Sequence, residues 1–166
     1  VMIVGPTNAG KSTLAVAIGE KLGIPAQHVD LFRHAPKTDG VQRPDDEFEA
    51  LHLAAIAEPE WVMDGNYGRT LPRRIAAADT IVFLDLPRFV CTWRILKRRF
   101  NHLGRSRPDV APGCPEHLSW EFVHWVRTYP SRRRPGILKQ LDGVRSDKNV
   151  VVLRNATEVH AFVSGL

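Results

Sequence analysis

The chain has 166 residues, 43% of them hydrophobic and 25% charged, which is typical of one globular domain and excludes a disordered chain. Its net charge of +5 favours an anionic ligand, whether a nucleotide, a phosphorylated metabolite or nucleic acid. Two cysteines without CxxC spacing are too few for a zinc site, and they favour a reducing, cytoplasmic compartment. No apolar run approaches the ~20 residues that span a bilayer, and no signal peptide is evident, so we expect no membrane association.

Short apolar runs alternate with helical patterns along the chain, which predicts βαβ units around a parallel sheet. We predict five strands, at residues 1–4, 26–29, 60–63, 80–84 and 150–153, in a single three-layer α/β/α domain. Residues 32–44 are polar and rich in turn formers, so they are predicted to be a loop.

Apolar spacing also predicts which faces of the helices contact the sheet. Leu14, Ile18 and Leu22 should face inward in the first helix, and a second helix should begin at Asp45 with Phe48, Leu51 and Ala55 inward. Further helices are predicted at 71–78, 158–163 and around Leu118, Phe122 and Trp125.

The helix that follows Pro87 has the most regular pattern. Its apolar residues step by four and three positions and predict one stripe that packs on the core, formed by Phe89, Trp93, Leu96, Phe100 and Leu103. Residues 104–115 hold two glycines and three prolines, so a loop should follow.

A phosphate-binding loop is the most specific motif in the sequence. Gly5-Pro6-Thr7-Asn8-Ala9-Gly10-Lys11-Ser12 matches GxxxxGK[ST] between a predicted strand and a predicted helix. Glycines let backbone N–H groups approach phosphate oxygens, and the helix N-terminus favours the same anion. Lys11 adds charge near the β- and γ-phosphates, and the Ser12 hydroxyl suits magnesium. ATP is therefore predicted to bind Gly5, Asn8, Ala9, Gly10, Lys11, Ser12 and Thr13.

Three carboxylates are predicted at the ends of strands. Asp64 should lie opposite Ser12 and hold magnesium through water, with Asp85 as the competing candidate and a helix start as its other role. Asp30 should face the ligand crevice and orient the acceptor hydroxyl or accept its proton, with an N-cap as the alternative.

Arginines flank this site on two sides, and arginines stabilise a phosphoryl group in transfer. Arg33 and Arg69, like Arg43, Arg73 and Arg74, lie in acceptor-side segments, where Arg33 and Arg69 are predicted to bind the acceptor with Asp30 and Asp64. On the other side we predict catalytic roles for Arg94, Arg98, Arg105 and Arg107, and an ATP contact for Arg99. The run Arg132-Arg133-Arg134 is open to a phosphate contact, a nucleic-acid patch or a solvated face, and the last is favoured.

The order of these motifs resembles adenylate kinase and its nucleoside monophosphate kinase relatives. Asp64-Gly65-Asn66-Tyr67-Gly68-Arg69-Thr70 is similar to their DGFPRT segment, and Asp30-Leu31-Phe32-Arg33 is similar to their acceptor-side D-x-x-R. Segments 28–30, 61–67, 93–99, 105–115 and 150–154 resemble more closely the DNA topology modulation protein family of P-loop ATPases, over nearly the whole chain.

The resemblance implies an adenylate-kinase-like fold with sheet order 2-3-1-4-5 and ATP in the switch-point crevice. It also implies an acceptor-side insertion at about 31–58 and a lid at about 100–118. The expected function is transfer of the γ-phosphate of Mg-ATP to a small, possibly nucleotide, acceptor. The alternative is an ATP-dependent regulatory protein that affects DNA topology, although no DNA-reading motif is present.

Overall fold

The sheet of this protein is seen in a computed structural model that describes residues 1–35, 38, 41–101 and 132–166. Its strands are β1 (Met2–Val4), β2 (Ala26–His28), β3 (Val62–Asp64), β4 (Thr80–Leu84) and β5 (Asn149–Leu153). All are parallel, in the order β2-β3-β1-β4-β5. The five predicted strands and the implied order are confirmed, so the carboxyl ends of β1, β3 and β4 lie side by side.

Helices cover both faces of this sheet. In the described part of the chain they are α1 (Lys11–Leu22), α2 (Val29–Arg33), α3 (Asp45–Ala57), α4 (Leu71–Ala77), α5 (Arg88–Asn101), α6 (Arg134–Asp142) and α7 (Ala156–Ser164). Helix α2 was not predicted. Because β2 ends at His28, Asp30 lies in the first turn of α2 and not at the strand end where the sequence placed it. No helix among the described residues is long and apolar enough to span a bilayer.

Two clusters of buried side chains separate the three layers, because successive strand residues point to opposite faces. Met2 and Val4 of β1 belong to one cluster, with α3, α4 and α6, whereas Ile3 belongs to the other, with α1 and Leu153. All three residues have no exposed surface. The strand that leads into the glycine-rich loop is therefore the centre of the whole core.

The predicted orientation of four apolar side chains is wrong. Phe89 and Trp93 of α5 are 71% and 65% exposed, while Cys91 between them is buried. On α3 the inward residues are Phe48 and His52, and Leu51 is exposed. The apolar spacing shows which side chains share one face of a helix. Whether that face contacts the core or the solvent depends on how the helix packs on its neighbours. Leu22 is also exposed, at the end of α1, whereas Leu14 and Ile18 are buried as predicted.

Two basic side chains, one on α3 and one on α4, are buried with the cluster that these two helices share. Arg74 and His52 have no exposed surface, and neither ring nitrogen of His52 has a hydrogen-bond partner in the described part of the chain. Burial first, and then the charges of Arg74 and Arg73, lower the pKa of His52 to about 4, which Glu49 only partly opposes. His52 is consequently neutral in the folded protein near neutral pH.

Acidification should destabilise the fold through His52. The unfolded chain binds a proton at His52 as the pH falls below 6.5, and the folded chain does so only near 4. Stability is therefore lost over this window, by about 2 kcal/mol at about pH 5. Urea unfolding at about pH 7 and about pH 5 measures it. His52→Leu should lose about 2 kcal/mol less than the wild type, whereas His160→Leu, at an exposed site, should match the wild type. An equal loss in all three proteins contradicts this assignment.

Candidate active site

The glycine-rich loop leaves β1 through a contact that only glycine permits. A Cβ on Gly5 would lie 2.6 Å from the carbonyl oxygen of Leu84, and Gly5 has a φ of 152°. Gly10 also has positive φ, 94°, and caps α1 without a side-chain hydrogen bond. The first N–H groups of α1 therefore have no capping side chain and border the loop, which is the arrangement of an anion-binding helix N-terminus.

Lys11 and Asn8 add donors to this loop. The Nζ atom of Lys11 donates to the carbonyl oxygen of Pro6 at 3.0 Å. Burial lowers the pKa of Lys11, although the charges of Asp64 and Asp30 oppose that effect. Asn8 has a φ of 62°, and its buried Nδ2 atom has no hydrogen-bond partner among the described residues. Both groups suit the oxygen atoms of a bound phosphate chain.

Asp64 lies beside the loop with both carboxylate oxygens engaged. Ser12 Oγ donates to Oδ2 at 2.9 Å, and His28 Nδ1 lies 2.5 Å from Oδ1. The register of β2 and β3 pairs His28 directly with Asp64, so the contact follows from the sheet. Asp64 is 5% exposed. The structure thus brings together Ser12 and Asp64 as the sequence predicts, and it adds His28, which only the strand register identifies.

Asp85, the competing carboxylate, has a different partner. Arg134 donates to it from Nε and Nη2, both at 2.7 Å, in the bidentate geometry that arginine and carboxylate favour. Asp85 follows β4 and is only 11% exposed in its side chain. Its two oxygens therefore bind α6 and not Ser12.

Asn66 joins the segment after β3 to the loop after β1. Its Oδ1 accepts from the N–H of Gly5 at 3.2 Å, and its Nδ2 donates to the carbonyl oxygen of the same residue. Beside it, a Cβ on Gly65 would lie 2.8 Å from Cβ of Val29, and buried Arg74 donates to the Gly65 carbonyl at 2.9 Å. Sequence reasoning missed the role of Asn66, although its place directly after Asp64-Gly65 marked it as a neighbour of the loop.

A cleft of about 1300 Å³ runs across the carboxyl ends of the strands. One part is bordered by the loop, by α1 and by α7, and the other by residues of α2 and of the segments that follow α2 and β3. Burial and the nearby Asp30 carboxylate raise the pKa of Tyr67, which keeps its hydroxyl protonated. The second part is lined by Asp30, His34, Gln42, Asn66, Tyr67 and Gly68.

The predicted arginines fall into three groups. Arg94 reaches the loop, where its Nη1 donates to the Ala9 carbonyl at 2.7 Å. Arg33 and Arg69 do not line the cleft, because both bind Asp45 at the start of α3. The remaining predicted features lie outside the described residues. They are the side chains of Arg98 and Arg99, the whole of Arg105 and Arg107, the helix around 118–125, and the lid beyond residue 101.

The arginine run at 132–134 is only partly a solvated face. Arg132 and Arg133 are exposed, and Arg133 lines the cleft near Gly68. Arg134 is half-buried in its pair with Asp85. The favoured interpretation is therefore wrong for Arg134, because a carboxylate at the end of β4 neutralises it.

Comparisons with solved structures place the fold among the P-loop kinases. Shikimate kinase from Bacteroides thetaiotaomicron superposes with a TM-score of 0.56 at 16% identity, over 99% of this chain and 93% of that one. A gluconokinase from Sinorhizobium meliloti 1021 gives a TM-score of 0.52 at 19% identity, over 99% and 91%. Comparison of the sequence with family models and with curated proteins found no match. The chain thus has a P-loop kinase fold, and at these identities the likeness shows the fold alone.

Asn66→Ala should destabilise the protein and loosen the loop. The change removes two hydrogen bonds and leaves the N–H and carbonyl of Gly5 without their partner, at a cost of about 2 kcal/mol. Gln140→Ala, which truncates an exposed amide on α6, should change stability by less than about 0.5 kcal/mol. Urea unfolding compares the two variants. Equal stability of both would mean that the Asn66 amide does not hold Gly5 in solution.

Proposed function

We propose that this protein transfers the γ-phosphate of Mg-ATP to a small, hydroxyl-bearing acceptor. The observation that carries the proposal is the continuous cleft, which joins the glycine-rich loop and the Ser12–Asp64 pair to a second polar compartment that contains Asp30. A loop for a nucleotide and a separate space for another molecule are what direct transfer between two substrates requires.

ATP would bind the backbone from Gly5 to Thr13. The uncapped N-terminus of α1 leaves donors for phosphate oxygens. The buried amide of Asn8 supplies another donor. Lys11 would stabilise the charge on the transferred group, with Arg94 beside the loop. Arg98, Arg99, Arg105 and Arg107 stay predictions for the same role.

Magnesium fits the oxygen atoms that the chain offers here. Ser12 Oγ and the carboxylate of Asp64 are the hard ligands that this ion prefers, directly or through water. When bound, the ion would neutralise charge on the phosphate chain. His28 would hold Asp64 in the orientation that this role needs.

Asp30 is the residue we assign to the acceptor hydroxyl. Its carboxylate is exposed in the second compartment, where it could orient a hydroxyl and accept its proton. Tyr67 lines the same compartment and packs on Phe48, with ring centroids 5.2 Å apart.

The resemblance to the DNA topology modulation family motivates a second function, ATP-dependent action on DNA. The net charge of +5 and the exposed Arg132 are the observations in its favour. Against it, Arg134 is neutralised by Asp85 and Arg133 lines the cleft, so the run does not form one continuous basic face. DNA binding would weaken steeply with added salt.

Lys11→Ala should lower phosphotransfer from Mg-ATP by about 10²–10³-fold, because it removes a charge from the transferred phosphate. Lys21→Ala removes the same charge from the exposed end of the same helix and should keep wild-type activity. ADP formation measures both, with nucleosides, nucleoside monophosphates, sugars and duplex DNA as candidate partners. Full activity in Lys11→Ala would contradict the mechanism, and stimulation by DNA alone would favour the second function.

His28→Ala should raise the magnesium concentration needed for half-maximal activity several-fold, because Asp64 loses a hydrogen bond that orients it. His28→Asn, which keeps a donor on β2, should recover part of the loss. Titration of activity with magnesium at saturating ATP measures the effect. An unchanged magnesium requirement in His28→Ala would mean that Ser12 alone positions the carboxylate.

A further inference from the structure

The arginines around the acceptor compartment are neutralised by the protein itself. Arg33 donates to Asp45 at 2.6 Å and, through two further hydrogen bonds, to Gln42. It also lies over the Phe48 ring, with the guanidinium carbon 5.4 Å from the ring centroid. Its side chain is only 19% exposed, and its donors are taken up by Gln42 and Asp45, so Arg33 itself does not line the cleft.

The neighbouring arginines follow the same pattern. Arg69 donates to Asp45 and to Glu49, and Arg73 donates to Glu49 at 3.1 Å. The hydrogen bond from Arg33, and then the charge of Arg69, lower the pKa of Asp45. The acidic residues of α3 therefore stay ionised and act as internal counterions for these arginines.

Arg43 and Arg74 bind backbone carbonyls. Arg43 Nη1 donates to the carbonyls of Leu31, Phe32 and His34 at 2.8–3.0 Å, while its Nε pairs with Glu47 at 2.9 Å. Arg74 is fully buried against the carbonyl of Gly65. Neither residue lines the cleft.

Most of the groups that face the acceptor compartment carry no permanent charge. His34, Gln42, Asn66 and Tyr67 are polar, and Asp30 is the carboxylate among them. Because Gln42 Oε1 accepts from Arg33 twice, its amide NH₂ is directed elsewhere and can donate to a ligand. Asp30 attracts hydroxyl donors and repels an anion. Among the described cations that line the cleft, Lys11 interacts with the charge of Asp30, and Arg133 lies near Gly68.

We propose that the acceptor is an uncharged, hydroxyl-bearing molecule, and that Asp45 excludes anionic acceptors by holding Arg33 and Arg69 on α3. The proposal rests on the function proposed above. It assigns Asp45 to specificity and not to catalysis, since Asp45 contacts neither the loop nor the cleft. Discrimination then comes from cations that are kept away from the ligand as much as from groups that contact it.

The test is calorimetric binding of matched pairs that differ by one anionic group, with the loop filled by a non-hydrolysable Mg-ATP analogue. The pairs are adenosine and AMP, glucose and gluconate, and glycerol and glycerate. Binding is measured without phosphotransfer, so failure of the proposed function, seen as no ADP formation with any partner, is distinguishable from failure of this proposal. In the wild type, the neutral member of any pair that binds should bind at least about tenfold more tightly, the factor that about 1.4 kcal/mol gives.

Asp45→Asn and Asp46→Asn form the decisive comparison, because both remove one charge from the first turn of α3. Asp45→Asn removes the charge that Arg33 and Arg69 share, which leaves Arg33 bound to Gln42 and Arg69 to Glu49, and it should strengthen binding of the anionic members by about tenfold. Asp46 is exposed, and Asp46→Asn should change nothing. Anionic affinity that is equal in both variants overturns the proposal. The proposal is also overturned if the wild type binds an anionic member more tightly than its neutral partner and Arg133→Ala abolishes that binding. Arg133 would then be the anion-recognition residue.

Discussion

The contact between Gly5 and Leu84 is the constraint on which the site depends. A side chain at Gly5 would overlap the backbone of β4, so the chain can leave the sheet at this point only through glycine. Asn66 holds the same residue from the β3 side. Because β1 is buried on both faces, the loop that follows it starts from the fully buried interior of the sheet. The start of the glycine-rich loop is therefore fixed by the core and by Asn66.

Two carboxylates flank this loop and have opposite environments. Asp64, at the end of β3, is bound by Ser12 and His28, whereas Asp85, after β4, is bound by both edges of the Arg134 guanidinium. The partners of Asp64 are therefore neutral or titratable groups. Asp85 instead forms a bidentate ion pair with Arg134, in which both carboxylate oxygens accept a hydrogen bond. The same residue type, after the two strands that flank β1, therefore borders the candidate site in one case and attaches α6 in the other.

Much of this arrangement could be predicted from the sequence, because its signals are local. The loop motif, five apolar strands and the carboxylate after β3 depend on short stretches of chain. The buried face of α5 could not be predicted, since the spacing of Phe89 and Trp93 is the same whether the stripe faces the core or the solvent. The partners of Arg33 and Arg69 were also inaccessible, because Asp45 reaches them only after α3 has packed. Long side chains near a site bind whichever carboxylate the tertiary structure brings closest.

The position of β2 at the edge of the sheet has a consequence for local stability. This strand has three residues and is hydrogen-bonded to one neighbour, β3, yet it carries the His28 that contacts Asp64. Edge strands open by local fluctuations that need far less free energy than global unfolding. The carboxylate therefore has one partner on α1, beside the central strand, and another on the edge strand β2. Amide hydrogens of β2 should exchange with solvent well before those of β1, and each opening would release one side of Asp64 while the fold stays intact.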